Sequence, residues 1–132
     1  MNLAKKLYIE TFGCQMNVND TETMFTLLKD LDYTPTDDPS CANLIIVNTC
    51  CIRAKAEQKV YSELGRLKGL KRGGRRVLLG VGGCIAQQEG DRLFKRVPYL
   101  DLVFGTHSLH LLPEMVRAAE TGERLAWNDF LD

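Results

Sequence analysis

Apolar and polar positions alternate in blocks along the chain, and the period changes from block to block. Residues 5–11 form a short apolar strand candidate that ends at Gly13. In the following NDTETMFTLLKDL, Met24, Leu27, Leu28 and Leu31 fall at i, i+3, i+4 and i+7, which predicts one buried face of a helix. Asn19 with Glu22 resembles a capping box at its start, with Asn in the place of Ser or Thr. YTPT (33–36) reads as a short edge strand, because Pro35 has no N–H to give to a ladder, and DDPS reads as a turn. NLIIVNT (43–49) is a continuous apolar run, the pattern of a strand buried on both faces.

The same alternation continues. RAKAEQKVYSELGRLKGL predicts a helix whose stripe is Ala56, Val60, Leu64 and Leu67, broken by KRGGRR. RVLLGVG (76–82) predicts a second buried strand, AQQEGDRLFKR a short helix stopped near Pro98, and DLVFG (101–105) a third apolar strand. SLHLLPEMVRAAE predicts a last helix in two parts, since Pro113 is unsuited to a helix interior. The tail LAWNDFLD shows no clear period. Strand–helix alternation at this spacing implies right-handed βαβ crossovers. The expected fold is α/β and flavodoxin-like: about five strands, mostly parallel, in the order 2-1-3-4-5, with helices on both faces.

Composition narrows the function classes. The 132 residues suit one domain large enough to bury its own core without a disulfide staple. Seventeen basic residues balance 17 acidic ones, so there is no global electrostatic drive toward nucleic acid or membrane. The start lacks the apolar segment of a secretory signal. The longest apolar runs, LIIV and VLLGVGGCIA, fall far short of the ~20 residues of a membrane helix, so no membrane partner is expected. Five cysteines without an extracellular signature point to a reducing, cytoplasmic setting, where thiols are free, metal-bound or catalytic.

Three of the cysteines share a position. Cys14, Cys50 and Cys84 each follow a predicted strand closely, 36 and 34 residues apart, about one βα repeat. In a parallel sheet all three would emerge at the carboxyl edge, where open α/β sheets bind ligands. In the order 2-1-3-4-5 their strands are neighbours at ~4.8 Å, so three sulfurs can converge. Each cysteine taken singly is equally a small buried hydrophobe. Gly13, Gly82 and Gly83 are turn residues that also permit close backbone approach to a bulky ligand. Three thiolates suit zinc with a fourth ligand, or an iron–sulfur cluster with one iron open. The absence of a CxxC pair favours the cluster. Cys51 points away from any site that Cys50 faces, and Cys41, ahead of its strand, belongs to the opposite edge.

Other signals carry less. GVGG (80–83) is not a dinucleotide loop, since Ile85 stands where a third glycine belongs. A flavodoxin phosphate loop is missing after the first strand, and a receiver domain would need an aspartate in place of Cys50. His107 and His110 suit capping or surface roles, and KRGGRR a solvated loop.

YIETFGCQMN, VNTCCIR followed by KAEQKVYSELGR, GVGGCIAQQEG and FGTHSLHLLPEM together resemble the amino-terminal domain of radical-SAM methylthiotransferases. The tRNA-modifying branch, the 2-methylthio-N6-dimethylallyladenosine synthases, is the most similar. The resemblance covers residues 5–118 and implies a methylthiotransferase domain over 1–120, with 121–132 a linker toward a radical-SAM domain. It implies an auxiliary 4Fe–4S cluster on Cys14, Cys50 and Cys84, which carries the sulfur or methylthio group. A second 4Fe–4S cluster and S-adenosylmethionine would belong to the radical-SAM domain, which generates a deoxyadenosyl radical. The target would be C2 of the isopentenylated adenine beside the anticodon, in a tRNA anticodon stem-loop also held by a small RNA-binding domain. Gln15, Asn17 and Arg53, which flank the ligand cysteines, are the candidate substrate contacts. The radical-SAM motif CxxxCxxC does not occur in these 132 residues, so the chain is expected to be a fragment, inactive alone. Two other classes remain open: a thiol redox or zinc-binding module, and a metal-free interaction domain on the same fold.

Overall fold

The computed structural model describes residues 5–12, 15–49, 54–72, 77–83, 86, 92–122 and 125–127. Its centre is a parallel sheet of β1 (Lys5–Thr11), β2 (Tyr33–Pro35), β3 (Leu44–Thr49), β4 (Leu78–Gly83), β5 (Leu102–Phe104) and β6 (Leu125–Trp127). The strand order is β2-β1-β3-β4-β5-β6, and every pairing is parallel. The expected order 2-1-3-4-5 is therefore present and extended by one strand. β6 has three residues, too few to show a period, and lies in the tail expected to be linker.

Helices cover both faces. α2 (Ala54–Lys68) and α3 (Arg92–Arg96) lay Val60, Leu64, Leu67 and Leu93 against Ile45, Val47, Leu79, Val81 and Val103. On the other face α1 (Gln15–Lys29) and α4 (Leu112–Glu120) pack Met24, Leu28, Met115 and Val116 against Leu7, Leu44, Ile46, Leu102 and Phe104. All six residues of β3 are buried, as its continuous apolar run requires of a strand covered on both sides.

The helix ends differ from the sequence expectation in one place. α1 begins at Gln15, so Asn19 is not its N-cap but lies inside the helix, where its carbonyl accepts from the Thr23 hydroxyl at 3.1 Å. Leu31 lies past the last turn and still packs on the core from there. Asp32 then takes a left-handed conformation (φ 69°), which an aspartate tolerates better than most residues, and turns the chain into β2. Pro113 sits in the first turn of α4, behind a 3-10 segment Thr106–Leu111, so the last helix is in two parts as expected.

Candidate functional site

The strand order reverses between β1 and β3. The chain leaves β1 into α1 on one face and leaves β3 into α2 on the other, so the two helices diverge there. Divergence opens a crevice at the carboxyl ends of β1 and β3, the usual ligand position in open α/β sheets. The last described residues of the three neighbouring strands meet at this edge. The Phe12 N–H donates to the Asn48 carbonyl at 2.8 Å, and Thr49 is in register with Gly83.

Cys14 is two residues beyond Phe12, Cys50 directly follows Thr49 and Cys84 directly follows Gly83. These three cysteines, with Cys51 and Arg53, lie outside the described residues. Gln15 and Asn17 fall in the first turn of α1, and their side chains are likewise outside the described set.

What is described directly beneath the edge is polar. Asn48 and Thr49 are fully buried, although the residues before them, Leu44 to Val47, are aliphatic. The Asn48 side-chain amide donates to Thr21 Oγ1 at 3.0 Å, and Thr21 Oγ1 shares a hydrogen bond with Thr11 Oγ1 at 2.8 Å. Thr49 Oγ1 donates to the Gly82 carbonyl at 2.7 Å. Gly83 has φ +94°, and a Cβ there would lie 2.9 Å from the Thr49 nitrogen and 3.0 Å from Asn48 Oδ1. Only a glycine lets β4 end this close to β3. In sequence, Asn48 and Thr49 read simply as the end of an apolar strand; their burial depends on a register that the sequence does not display.

Beside this edge a cleft of about 650 Å³ runs between β1 and α2, lined by Glu10, Phe12, Gln58, Lys59, Ser62, Glu63 and Arg66. The lining residue Glu10 accepts at Oε1 from the Tyr8 hydroxyl at 2.5 Å. Burial, reinforced by that bond and by the charges of Glu10 and Glu63, pushes the Tyr8 phenol up to about 12. Arg66 forms a fork on Glu63 at 2.9 and 2.5 Å, which holds the Glu63 carboxyl below its ordinary value against the opposing effect of burial. The sequence signal for the cleft is the series Gln58, Ser62 and Arg66 at i, i+4, i+8, which looks the same as a solvated helix face.

The remaining candidates are scattered. Cys41 is exposed in a 3-10 turn ahead of β3, at the amino edge, with its sulfur 3.5 Å from Asp38 Oδ2. His110 is exposed in the segment after β5. Lys71 and Arg72 lie in the 3-10 turn Gly69–Arg72 that leads from α2 toward the amino end of β4, opposite the crevice. Gly82 is a strand residue, not a turn residue. Among the described residues no three His, Cys, Asp or Glu side chains are grouped to hold a metal ion, and no helix is long and apolar enough to cross a membrane.

Comparison with known proteins matches residues 6–105 to the model of Uncharacterized protein family UPF0004. The chain belongs to this family. The UPF0004 chain is 68% identical over 128 residues to the tRNA-2-methylthio-N(6)-dimethylallyladenosine synthase of Geobacter sulfurreducens, covering 97% of this chain and 29% of that protein. It is 71% identical over 128 residues to the synthase of the same name from Geobacter metallireducens, with the same coverage. Over 132 residues it is 63% identical to that of Geotalea uraniireducens, covering all of this chain and 30% of the relative. The UPF0004 chain thus spans under a third of the length of these curated relatives.

Proposed function

We propose that this chain is the auxiliary-cluster domain of a tRNA methylthiotransferase that adds a methylthio group to C2 of N6-isopentenyladenosine beside the anticodon. The observation that carries this reading is the junction of Phe12, Asn48, Thr49 and Gly83 at the switch point, one or two residues ahead of Cys14, Cys50 and Cys84. The names of the similar proteins support the reaction class.

The residues fit a 4Fe–4S cluster on these cysteines. Thiolates are the cluster's ordinary donors. Gly83, whose Cβ would collide with β3, leaves the edge free of side-chain bulk where the cysteine-bearing segments begin. When bound, such a cluster on three cysteines has one iron without a protein ligand and supplies a seat for an exogenous sulfur. The chain's own task is to hold that seat at the sheet edge, with Gln15, Asn17 and Arg53 beside it for contact with the nucleotide. Arg53 suits a phosphate or a base face, because its planar guanidinium both forks and stacks. Radical chemistry, S-adenosylmethionine, the second 4Fe–4S cluster and most of the RNA footprint belong to the radical-SAM and RNA-binding domains of the full protein, which acts in the cytoplasm. With no CxxxCxxC motif, these 132 residues are inactive alone.

Anaerobic reconstitution with iron and sulfide tests the reading. The expected product is brown, holds four irons per chain by the stoichiometry of the cluster, and loses them in Cys14→Ala, Cys50→Ala or Cys84→Ala but not in Cys41→Ala or Cys51→Ala. Colourless protein with tightly held zinc would instead support the zinc-binding module. Full iron in Cys84→Ala would overturn the three-ligand site.

A further inference from the structure

We propose that Thr21 and Asn48 are positioning residues that hold the segments carrying Cys14 and Cys50 at a fixed separation. The inference rests on the cluster reading above and concerns how the apo chain is preorganised for it.

Thr21 Oγ1 receives the Asn48 amide at 3.0 Å and lies 2.8 Å from Thr11 Oγ1. One hydroxyl therefore joins three elements. β1 precedes Cys14, α1 follows it, and β3 directly precedes Cys50. The Asn48 carbonyl also accepts from the Phe12 N–H at 2.8 Å. Asn48 thus grips β1 through its backbone and α1 through its side chain.

Stability alone does not ask for these groups. Leu44 and Ile46, on the same face of β3 as Asn48, are aliphatic and fully buried. A buried amide is costly unless it is hydrogen-bonded, and an aliphatic residue would fill the same space without that demand. What hydrogen bonds add over aliphatic packing is direction: they fix the axial position of α1 along β1 and β3. The segment between Thr11 and Gln15, where Cys14 lies, is then held at both ends to the strand that leads into Cys50. Ligand-orienting groups of this kind act through the ligands they place.

The test uses the 132-residue chain, whose own helices cover both faces of its sheet and close its core. After reconstitution, iron release to a chelator is followed for the parent, Thr21→Val, Thr21→Ser and Asn48→Ala, with the spectrum of the reduced cluster recorded for each. Thr21→Val keeps the shape and removes the hydroxyl. Loss of an orienting group costs about 10–100-fold in metal affinity elsewhere. The expected result is iron release at least about tenfold faster in Thr21→Val and Asn48→Ala with an altered cluster spectrum, and restoration in Thr21→Ser. Val116→Ala, a core change in α4 that leaves the network intact, controls for general loss of stability and should release iron at the parental rate.

Parental release rates and spectra in Thr21→Val overturn the positioning role while leaving the cluster reading intact. The same is true if Val116→Ala releases iron as fast as Thr21→Val. If Asn48→Ala does not fold, Thr21→Val and Thr21→Ser decide between them. A parent chain that takes up no cluster overturns the functional reading itself, and with it this inference.

Discussion

Phe104 lies with its ring across Gly82, its register partner on the neighbouring strand: a Cβ on Gly82 would come within 3.1 Å of Phe104 Cδ2 and closer still to the far edge of the ring. Leu102 occupies the same relation to Gly80, with contacts of 2.8 and 3.0 Å. Gly80 and Gly82 are therefore packing residues of β4 that let β5's large side chains lie over it.

A coupled stability change follows. Gly82→Ala should destabilise by about 1–3 kcal/mol through overpacking. Phe104→Leu should destabilise on its own by leaving space unfilled. Combined, each relieves the other, so the double variant should be more stable than the sum of the single losses predicts. Urea unfolding measures all three. Additivity within about 0.5 kcal/mol would mean that the ring and the glycine do not compete for space.

Two positive-φ glycines separate strain from collision. Gly83 (φ +94°) faces the main chain of Thr49, whereas Gly122 (φ +99°) has nothing among the described residues within 4 Å of its Cβ position. Gly122→Ala should cost only the conformational penalty, about 1–2 kcal/mol. Gly83→Ala should cost clearly more, because backbone cannot swing aside as a side chain does. If the proposed cluster sits at this edge, it should also be lost more readily from Gly83→Ala after reconstitution, since Cys84 is the next residue. Equal losses in the two variants would remove collision from the account.

The strand–helix order was legible because each element carries its own period. Val60, Leu64 and Leu67 mark the buried face of α2 in sequence and in space alike. The start of α1 was not legible: Asn19 and Glu22 carry a capping pattern, yet the helix begins one turn earlier. Local preferences at such a point are worth roughly 1 kcal/mol and yield to packing. The ends of β1, β3 and β4 could be read from the apolar runs that form them. The Thr11–Thr21–Asn48 network could not, because it depends on the β1–β3 register and on the rotation of α1 about its axis.

Alkaline titration should single out Tyr8. Burial and the Glu10 carboxylate hold its phenol at about 12, above the ordinary 10. A folded-state pKa above the unfolded one means that this group's contribution to stability is fully present below pH 10 and is lost as pH rises through 12. Tyrosinate absorbance should show a late-titrating group that disappears in Tyr8→Phe and moves down in Glu10→Gln, which removes the charge but keeps an acceptor. No change in Glu10→Gln would remove the Glu10 charge from the causes.

RNA recognition by this chain alone should be weak. Its charges balance, 17 against 17, and phosphate binding scales with the number of cations brought to the backbone. The basic stretch KRGGRR begins at Lys71 and Arg72, in the turn toward the amino end of β4, on the side of the sheet away from the crevice. A phosphate bound there would sit a full strand length from the cysteine edge. Arg53 belongs instead to the segment between Thr49 and Ala54, which leaves the crevice edge. Negligible affinity for an anticodon stem-loop at physiological salt is therefore expected of the 132 residues. In the full-length protein, Arg53→Ala should reduce modification of tRNA more than Arg75→Ala does. Tight, salt-sensitive binding by the isolated chain, or the opposite ranking of the two variants, would move the RNA surface to the amino edge of the sheet.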